Sequence, residues 1–214
     1  MTYKTHKTVG LFLAMAFIIG NNISNHLINS NISSNVVAIN LTNPTVTNSI
    51  PGGLIFFLEV FYYLYLAYLG SLYPDIDHIG SHLGHRRKVL SYYIAMKFGH
   101  RTITHSLLGM LIGTLPVFLI SQTTWIFFNF GKIAWFYFTI GYFSHLFTDT
   151  MNPKGIPWLY PKKTMYSLNH FQMGTSSEEW MNVGTGGFLL ASSFLFPTPI
   201  SYALFVYLLI LVIK

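Results

Sequence analysis

Three long apolar runs, Leu54 to Leu72, Ile103 to Ile120 and Trp125 to Phe147, decide what this chain can fold into. Each approaches the ~20 residues a helix needs to cross a hydrocarbon core about 30 Å thick. Backbone surrounded by lipid must satisfy its own polar groups, so such runs form helices rather than open sheets. Only 8% of the residues are charged, against about 25% in soluble domains. The sequence therefore predicts an all-α integral membrane protein, a single multi-pass domain over residues 1–214.

Two further runs set the span count. Thr8 to Gly20 is short and follows two lysines, as in a signal peptide. No small-x-small cleavage site follows, however, so a retained first helix extending past Asn21 and Asn22 is the better reading. Val183 to Ile213 is broken by Pro197 and Pro199, and forms either two short tilted helices or one kinked span. The expectation is five or six transmembrane helices. Residues 21–53 are rich in Asn, Ser and Thr and read as an outer loop. Its N-x-S/T triplets at Asn22, Asn31 and Asn40 are expected by chance in so biased a segment.

The formal charge of +6 is distributed as topology, not as a nucleic-acid patch. Lys4 and Lys7 precede the first run. Arg86, Arg87, Lys88, Lys97 and Arg101 separate the second from the third, and Lys154, Lys162 and Lys163 follow the fourth. This alternation puts the N-terminus and the 73–102 and 148–182 loops on the cytoplasmic side. A basic cytoplasmic face also attracts anionic headgroups, so membrane lipids are the expected partners. Oligomeric state is not legible.

The polar residues collect on that side. The chain has three aspartates, and all lie at apolar-run ends: Asp75 and Asp77, with His78, past the second, and Asp149, with His145, at the fourth. His100, Arg101 and His105 mark the entrance of the third run, His6 precedes the first, and Glu178 and Glu179 precede the last. Distant segments thus deliver imidazole and carboxylate groups to one depth, giving a polar site at the cytoplasmic helix ends. His145 and Asp149 share a helical face at i, i+4, so they can ligate one ion, or the carboxylate can orient the imidazole. Pro74 helps end its helix, and in extended geometry Asp75 and Asp77 project to the same side. With no cysteine, any metal falls to His, Asp, Glu or Asn. This donor set suits Zn²⁺ first, with Mn²⁺ or Mg²⁺ as alternatives, in one to three ions. Read singly, each pair has a bland explanation: an interhelical hydrogen bond, or a solvated helix end. His82 and His85 read as part of a solvated basic loop, His26 and His170 as bystanders, and Glu59 as a structural partner of Lys132. H-E-x-x-H, G-x-S-x-G and P-loop patterns are absent.

The segments "THKTVG", "GSLYPDIDHIGS", "FGHRTITHSLLG", "GYFSHLFTDTMNPKGIPWLYP" and "GTSSEE", in that order, resemble the YdjM-like inner-membrane proteins, a family grouped with metal-dependent hydrolases. The resemblance implies metal ligands at His6, Asp75, Asp77, His78, His105, His145 and Asp149. His100, Arg101 and Glu178, with Asp77, would complete the catalytic shell. A distant likeness to zinc-dependent phospholipase C and nuclease-like phosphoesterases favours a phosphoester, such as a phospholipid or lipid phosphate, but rests on fold-level analogy. The rival class is non-enzymatic: a divalent-cation carrier, expected to bind its ion near the midplane, or a metal-stabilised scaffold. A regulatory protein binding a soluble partner through its basic loop 83–101 is a third. The enzyme reading predicts that Asp77→Asn abolishes activity while leaving membrane insertion intact, checked by assay and fractionation of the variant.

Overall fold

A computed structural model describes residues 3–31, 52–124, 133–168, 175, 176, 178–180, 182–185 and 187 of the chain. The architecture is all-α. Helix α1 covers Tyr3–Asn31, α2 Gly52–Leu72, α3 His82–Arg86, α4 Lys88–Phe98, α5 Leu107–Thr124 and α6 Ala134–Thr150, with a 3-10 turn at Tyr73–Asp77 between α2 and α3. Among the described residues the only strand-like pairing is an isolated antiparallel bridge, Ile156 to Tyr166. The first apolar run is part of a helix that continues through Asn31, so the loop expected over 21–53 is narrower. Asn and Ser cost a helix only tenths of a kcal/mol each, and no proline occurs before Pro44. Residues 125–132 and nearly all of the C-terminal apolar region lie outside the described residues.

Taken over the described residues, no helix is long and apolar enough to cross a membrane. Polar residues dilute several of the runs. Lys4 and Lys7 begin α1, Glu59 sits within α2, and α5 ends in Ser, Gln and Thr. The expected five or six spans are therefore not established by these helices.

The core lies among α1, α2 and α6. Buried positions recur at helical spacing: Leu11, Ala14, Met15 and Ile18 on α1; Val60, Tyr63, Leu64 and Ala67 on α2; Ala134, Tyr137, Phe138, Tyr142 and Leu146 on α6. Tyr63 stacks on Tyr137 with ring centroids 4.2 Å apart and donates a 2.8 Å hydrogen bond to Glu59. Its expected partner Lys132 lies outside the described residues. Towards one end, the same stripe turns polar: Ser71 on α2, and Ser144, His145 and Asp149 on α6, are all buried.

What sets that end is the crossing of α2 over α6. A Cβ on Gly70 would run into the Phe138 carbonyl, and one on Gly141 into the Ala67 carbonyl. Backbone meets backbone there, as at other small-residue helix crossings. Gly141 lies one turn before His145, so the contact fixes the height of the site. Gly141→Leu is expected to wedge the helices apart, at about 1–3 kcal/mol or more, lowering the thermal midpoint of the protein in detergent. An unchanged midpoint would show that the crossing is not tight.

Candidate metal centre

Four elements bring the polar residues together: the start of α1, the 3-10 turn after α2, the turn at 99–106 before α5, and the end of α6. Pro74 sits at the beginning of the 3-10 turn. Asp75 and Asp77 are therefore not extended as expected, yet both reach His105. Asp75 Oδ1 is 3.5 Å from its Nε2, and Asp77 Oδ2 is 3.3 Å from its Nδ1. The 99–106 turn is bent by Gly99 (φ 81°) and Arg101 (φ 57°). Left-handed backbone at a non-glycine residue is costly and needs support. Here it lets Arg101 donate its backbone N–H to Asp77 Oδ2 at 3.0 Å, while the guanidinium reaches Asp149 Oδ2 at 3.3 Å. The Tyr142 hydroxyl ties the turn to α6 through the Thr104 carbonyl at 2.7 Å.

Hydrogen-bond bookkeeping fixes the tautomer of each buried histidine. His145 Nδ1 lies 2.7 Å from the Ser71 carbonyl, which can only accept, so Nδ1 carries the hydrogen. His6 Nδ1 lies 2.7 Å from Thr148 Oγ1. That hydroxyl already gives its one hydrogen to the His145 carbonyl, so His6 donates. His105 Nδ1 faces Thr104 Oγ1 at 3.1 Å, whose hydrogen goes to Asp77 Oδ2 at 2.6 Å; again Nδ1 donates. In its neutral form each of these three imidazoles therefore turns a bare Nε2 lone pair the other way.

Those lone pairs converge on carboxylates. The Nε2 atoms of His105 and His145 are 3.3 Å apart. Asp149 Oδ2 lies 3.5 and 3.9 Å from them, and Asp75 Oδ1 3.5 and 3.6 Å. His6 Nε2 is 3.5 Å from Asp149 Oδ1, and its ring stacks on His145 with centroids 3.7 Å apart. Acceptors facing acceptors in a buried site repel unless a cation or a proton lies between them. Ligands of a tetrahedral zinc with bonds of ~2.0–2.1 Å stand roughly 3.3–3.4 Å apart, close to these separations. Three overlapping groups can hold an ion: His6, Asp75 and His145; His105, His145 and Asp149; Asp75, Asp77 and His105. The residues fit a divalent metal.

Charge supports this reading. Burial is the largest influence on Asp75 and pushes its carboxyl up. The neighbouring His145, His105 and His6 outweigh it and hold the group well below the ordinary carboxylate range. Asp77 and Asp149 are held low against burial in the same way, Asp77 mainly by hydrogen bonds from His100 and His105 and Asp149 by its pairing with the His6 and His145 imidazoles, which favours their protonation only in acid. Burial, and then His145, push the His6 imidazole down to about 3. The carboxylates are thus ionised and His6 is neutral, the forms that ligate. Burial pushes His105 down, but hydrogen bonds to Asp75 and Asp77 outweigh it and raise the imidazole to about 9, so a bound ion would displace a proton from His105.

The remaining expected residues are placed differently. Asp77 accepts from His100 Nδ1 (2.9 Å), the Arg101 N–H, Thr104 Oγ1 and His105 Nδ1. Although it belongs to one of the ion-capable groups, its oxygens are engaged in orienting two histidines. His78 is exposed and enters none of those groups; its ring lies 4.9 Å from that of His100. His100 is 42% exposed. Glu178 is buried and enters none of those groups, accepting from Thr5 Oγ1 at 2.6 Å; Asn182 bonds Thr5 and Thr8. Together they hold the first turn of α1, and so His6, in place. Thr104, Thr148 and the Ser71 carbonyl were not expected; no spacing rule marks a threonine that fixes an imidazole tautomer. A cavity of about 330 Å³ adjoins the centre, lined by Tyr3, Asp75, His78, His82, His100 and Arg101 among others. His82, read from sequence as a solvated loop residue, forms part of that wall and stacks on Tyr3 at 4.9 Å.

The family profile described as YdjM inner membrane protein matches residues 1–214. Inner membrane protein YdjM of Escherichia coli (strain K12) is 38% identical over 102 residues, 48% of this chain and 50% of that protein. The protein of the same name from Shigella flexneri matches to the same extent. Uncharacterized protein YvsG of Bacillus subtilis (strain 168) is 36% identical over 129 residues, 60% of this chain and 74% of that protein. The chain thus matches about half the length of the first two relatives. No solved structure matches it.

Two threonines hold the histidine tautomers. Thr148→Val and Thr104→Val remove no ligand but free an imidazole to rotate or change tautomer. Each is expected to weaken metal affinity about 10–100-fold, read by competition with a chromogenic chelator. His78→Ala should leave affinity unchanged. Equal affinity in all three variants would sink the tautomer argument.

Proposed function

The chain belongs to the YdjM inner-membrane protein family, and from that premise we propose that it is a metal-dependent hydrolase of the inner membrane, acting on a phosphoester, with a lipid as the leading substrate. The observation that carries the reading is the convergence of three Nε2 lone pairs on Asp75 and Asp149. His6, Asp75, His105, His145 and Asp149 would hold the metal. When bound there, a divalent ion lowers the pKa of water towards neutrality and polarises a phosphoryl oxygen.

The chain's own residues supply the rest. His100 donates Nδ1–H to Asp77 at 2.9 Å, leaving Nε2 free on the cavity side to take or give a proton, with the carboxylate fixing the ring. Arg101 contacts Asp149 and lines the cavity, and its buried Nε lacks a protein partner among the described residues. It is placed to hold negative charge as it develops on a substrate. Glu178 acts at a distance, by anchoring the first turn of α1.

A metal-stabilised scaffold is the second reading, favoured by the deep burial of His6, His105 and His145. The adjoining cavity weighs against it, because Asp75 is accessible there and a purely structural site is closed. In the enzyme reading the N-terminus, the 73–102 segment and the 148–182 segment face the cytoplasm, and α1, α2, α5 and α6 belong to membrane-embedded segments.

The test is metal content by mass spectrometry on protein purified in detergent, beside His145→Ala and Asp77→Ala, followed by assays on phospholipids and lipid phosphates. The expected result is one or more ions in the wild type, lost from His145→Ala and reduced in Asp77→Ala. Hydrolysis should require the metal and fall roughly 10²-fold or more in Arg101→Gln. Tightly bound metal with no hydrolysis of any phosphoester would favour the scaffold; no metal after loading with Zn²⁺ or Mn²⁺ would overturn both.

A further inference from the structure

Helix α4 has no role in the metal centre, yet its surface is unusual. Val89 is 86% exposed and Met96 70%, with Leu90, Tyr92 and Tyr93 also exposed, while Ser91 on the opposite side is fully buried. At 100° per residue, Tyr92, Met96, Val89 and Tyr93 form one continuous outward stripe. Lys88 borders it on one side and Lys97 on the other. The Lys97 Nζ lies 5.7 Å from the centre of the Tyr93 ring, so its stem runs along the apolar face with the ammonium at the edge. Arg86 and Arg87, both exposed, extend the basic border at the N-terminal end, where they line a shallow groove with Val89, Leu90 and Tyr93.

An outward apolar stripe between lysines is the pattern of a helix lying in a membrane interface, with apolar side chains below the headgroups and basic groups among their phosphates. At 11 residues, about 16 Å at 1.5 Å per residue, α4 is too short to span. We propose that α4 docks flat on the surface of an anionic bilayer, held by Val89, Tyr92, Tyr93 and Met96 and by the phosphates that Arg86, Arg87, Lys88 and Lys97 contact. The occupant is a lipid surface rather than a protein because apolar stripe and basic border match a headgroup layer, and because the family is one of inner-membrane proteins. Docking has a geometric consequence. His82 and Leu83 of the adjoining α3 line the cavity, so a docked α4 holds the cavity near headgroup level. The inference does not depend on the hydrolase reading.

The absence of cysteine makes the test direct. Val89→Cys and Met96→Cys, each labelled with an environment-sensitive fluorophore, are compared with labelled Lys154→Cys in the full-length protein. The media are detergent, phosphatidylcholine nanodiscs, and nanodiscs containing phosphatidylglycerol. The expected result is a blue shift and shielding from aqueous iodide at 89 and 96 in the anionic discs alone, reversed by high salt, with no change at 154. Replacing Arg86, Arg87 and Lys88 by Gln should weaken docking about fivefold per residue, with metal content unchanged as the check on folding. Iodide access in anionic discs equal to that in detergent would overturn the proposal. So would equal shielding in all three media, which would mean that protein covers the stripe, or equal shielding in neutral and anionic discs.

Discussion

Three buried imidazoles in this protein turn the same nitrogen towards the same two carboxylates, and most of the structure around them follows from holding that arrangement. For His6 and His145 the Nδ1–H is spent on an anchor in another element, and for His105 on its neighbour in the same turn. His6 on α1 bonds Thr148 on α6, His145 on α6 bonds the Ser71 carbonyl on α2, and His105 bonds the Thr104 hydroxyl beside Asp77 of the 3-10 turn. For His6 and His145 the bonds that set the tautomers are also the bonds that join the helices. Without a metal ion a proton must separate the inward acceptors; a bound ion would draw the ligands and helix ends together. Binding of a metal there would be coupled to the packing of this end of the bundle for that reason.

The remainder of the bundle is arranged to keep the anchors in register. Gly70 and Gly141 bring α2 and α6 into backbone contact within one turn of Ser71 and His145. Below that crossing the shared stripe is apolar and aromatic. Above it, the same positions carry Ser71, Ser144, His145 and Asp149. A one-residue slip of α6 would rotate His145 by about 100° and lose both the Ser71 bond and the contact with His105. The tight crossing thus gives the histidine a precision its own side chain cannot provide.

Much of this was legible in the sequence, for identifiable reasons. The i, i+4 spacing of His145 and Asp149 placed both on one helical face, and proline after α2 marked where the chain leaves the helix. The first helix was expected to extend past Asn21 and Asn22, and it runs through Asn31. The conformation of Asp75 and Asp77 was misread as extended, because Pro74 is compatible with a 3-10 turn as well as a strand. Asp77 could not be separated from Asp75 by spacing. The distinction arises only when the turn at Arg101 folds back and supplies donors to both Asp77 oxygens. Glu178 was visible as a carboxylate near the right segment, but its engagement with Thr5 depends on how two parts of the chain 173 residues apart meet. His82 shows the same limit: stacking on Tyr3 makes a loop histidine part of a cavity wall.

Charge narrows what the cavity can accept in the hydrolase reading. Asp75, Asp77 and Asp149 are ionised, and against them stands the Arg101 guanidinium, so with neutral imidazoles the centre carries two negative charges. One divalent ion cancels them and leaves a site with no net attraction for an anion. A second ion makes it positive, and only then does a phosphoester meet a favourable field in addition to Arg101. The overlap of the ion-capable groups, which share His105, His145 and Asp75 between them, permits more than one ion but forces them to compete for ligands. Binding of an anionic substrate and binding of a further ion should therefore favour each other. A phosphate oxygen can supply the ligand that the shared histidines cannot give twice.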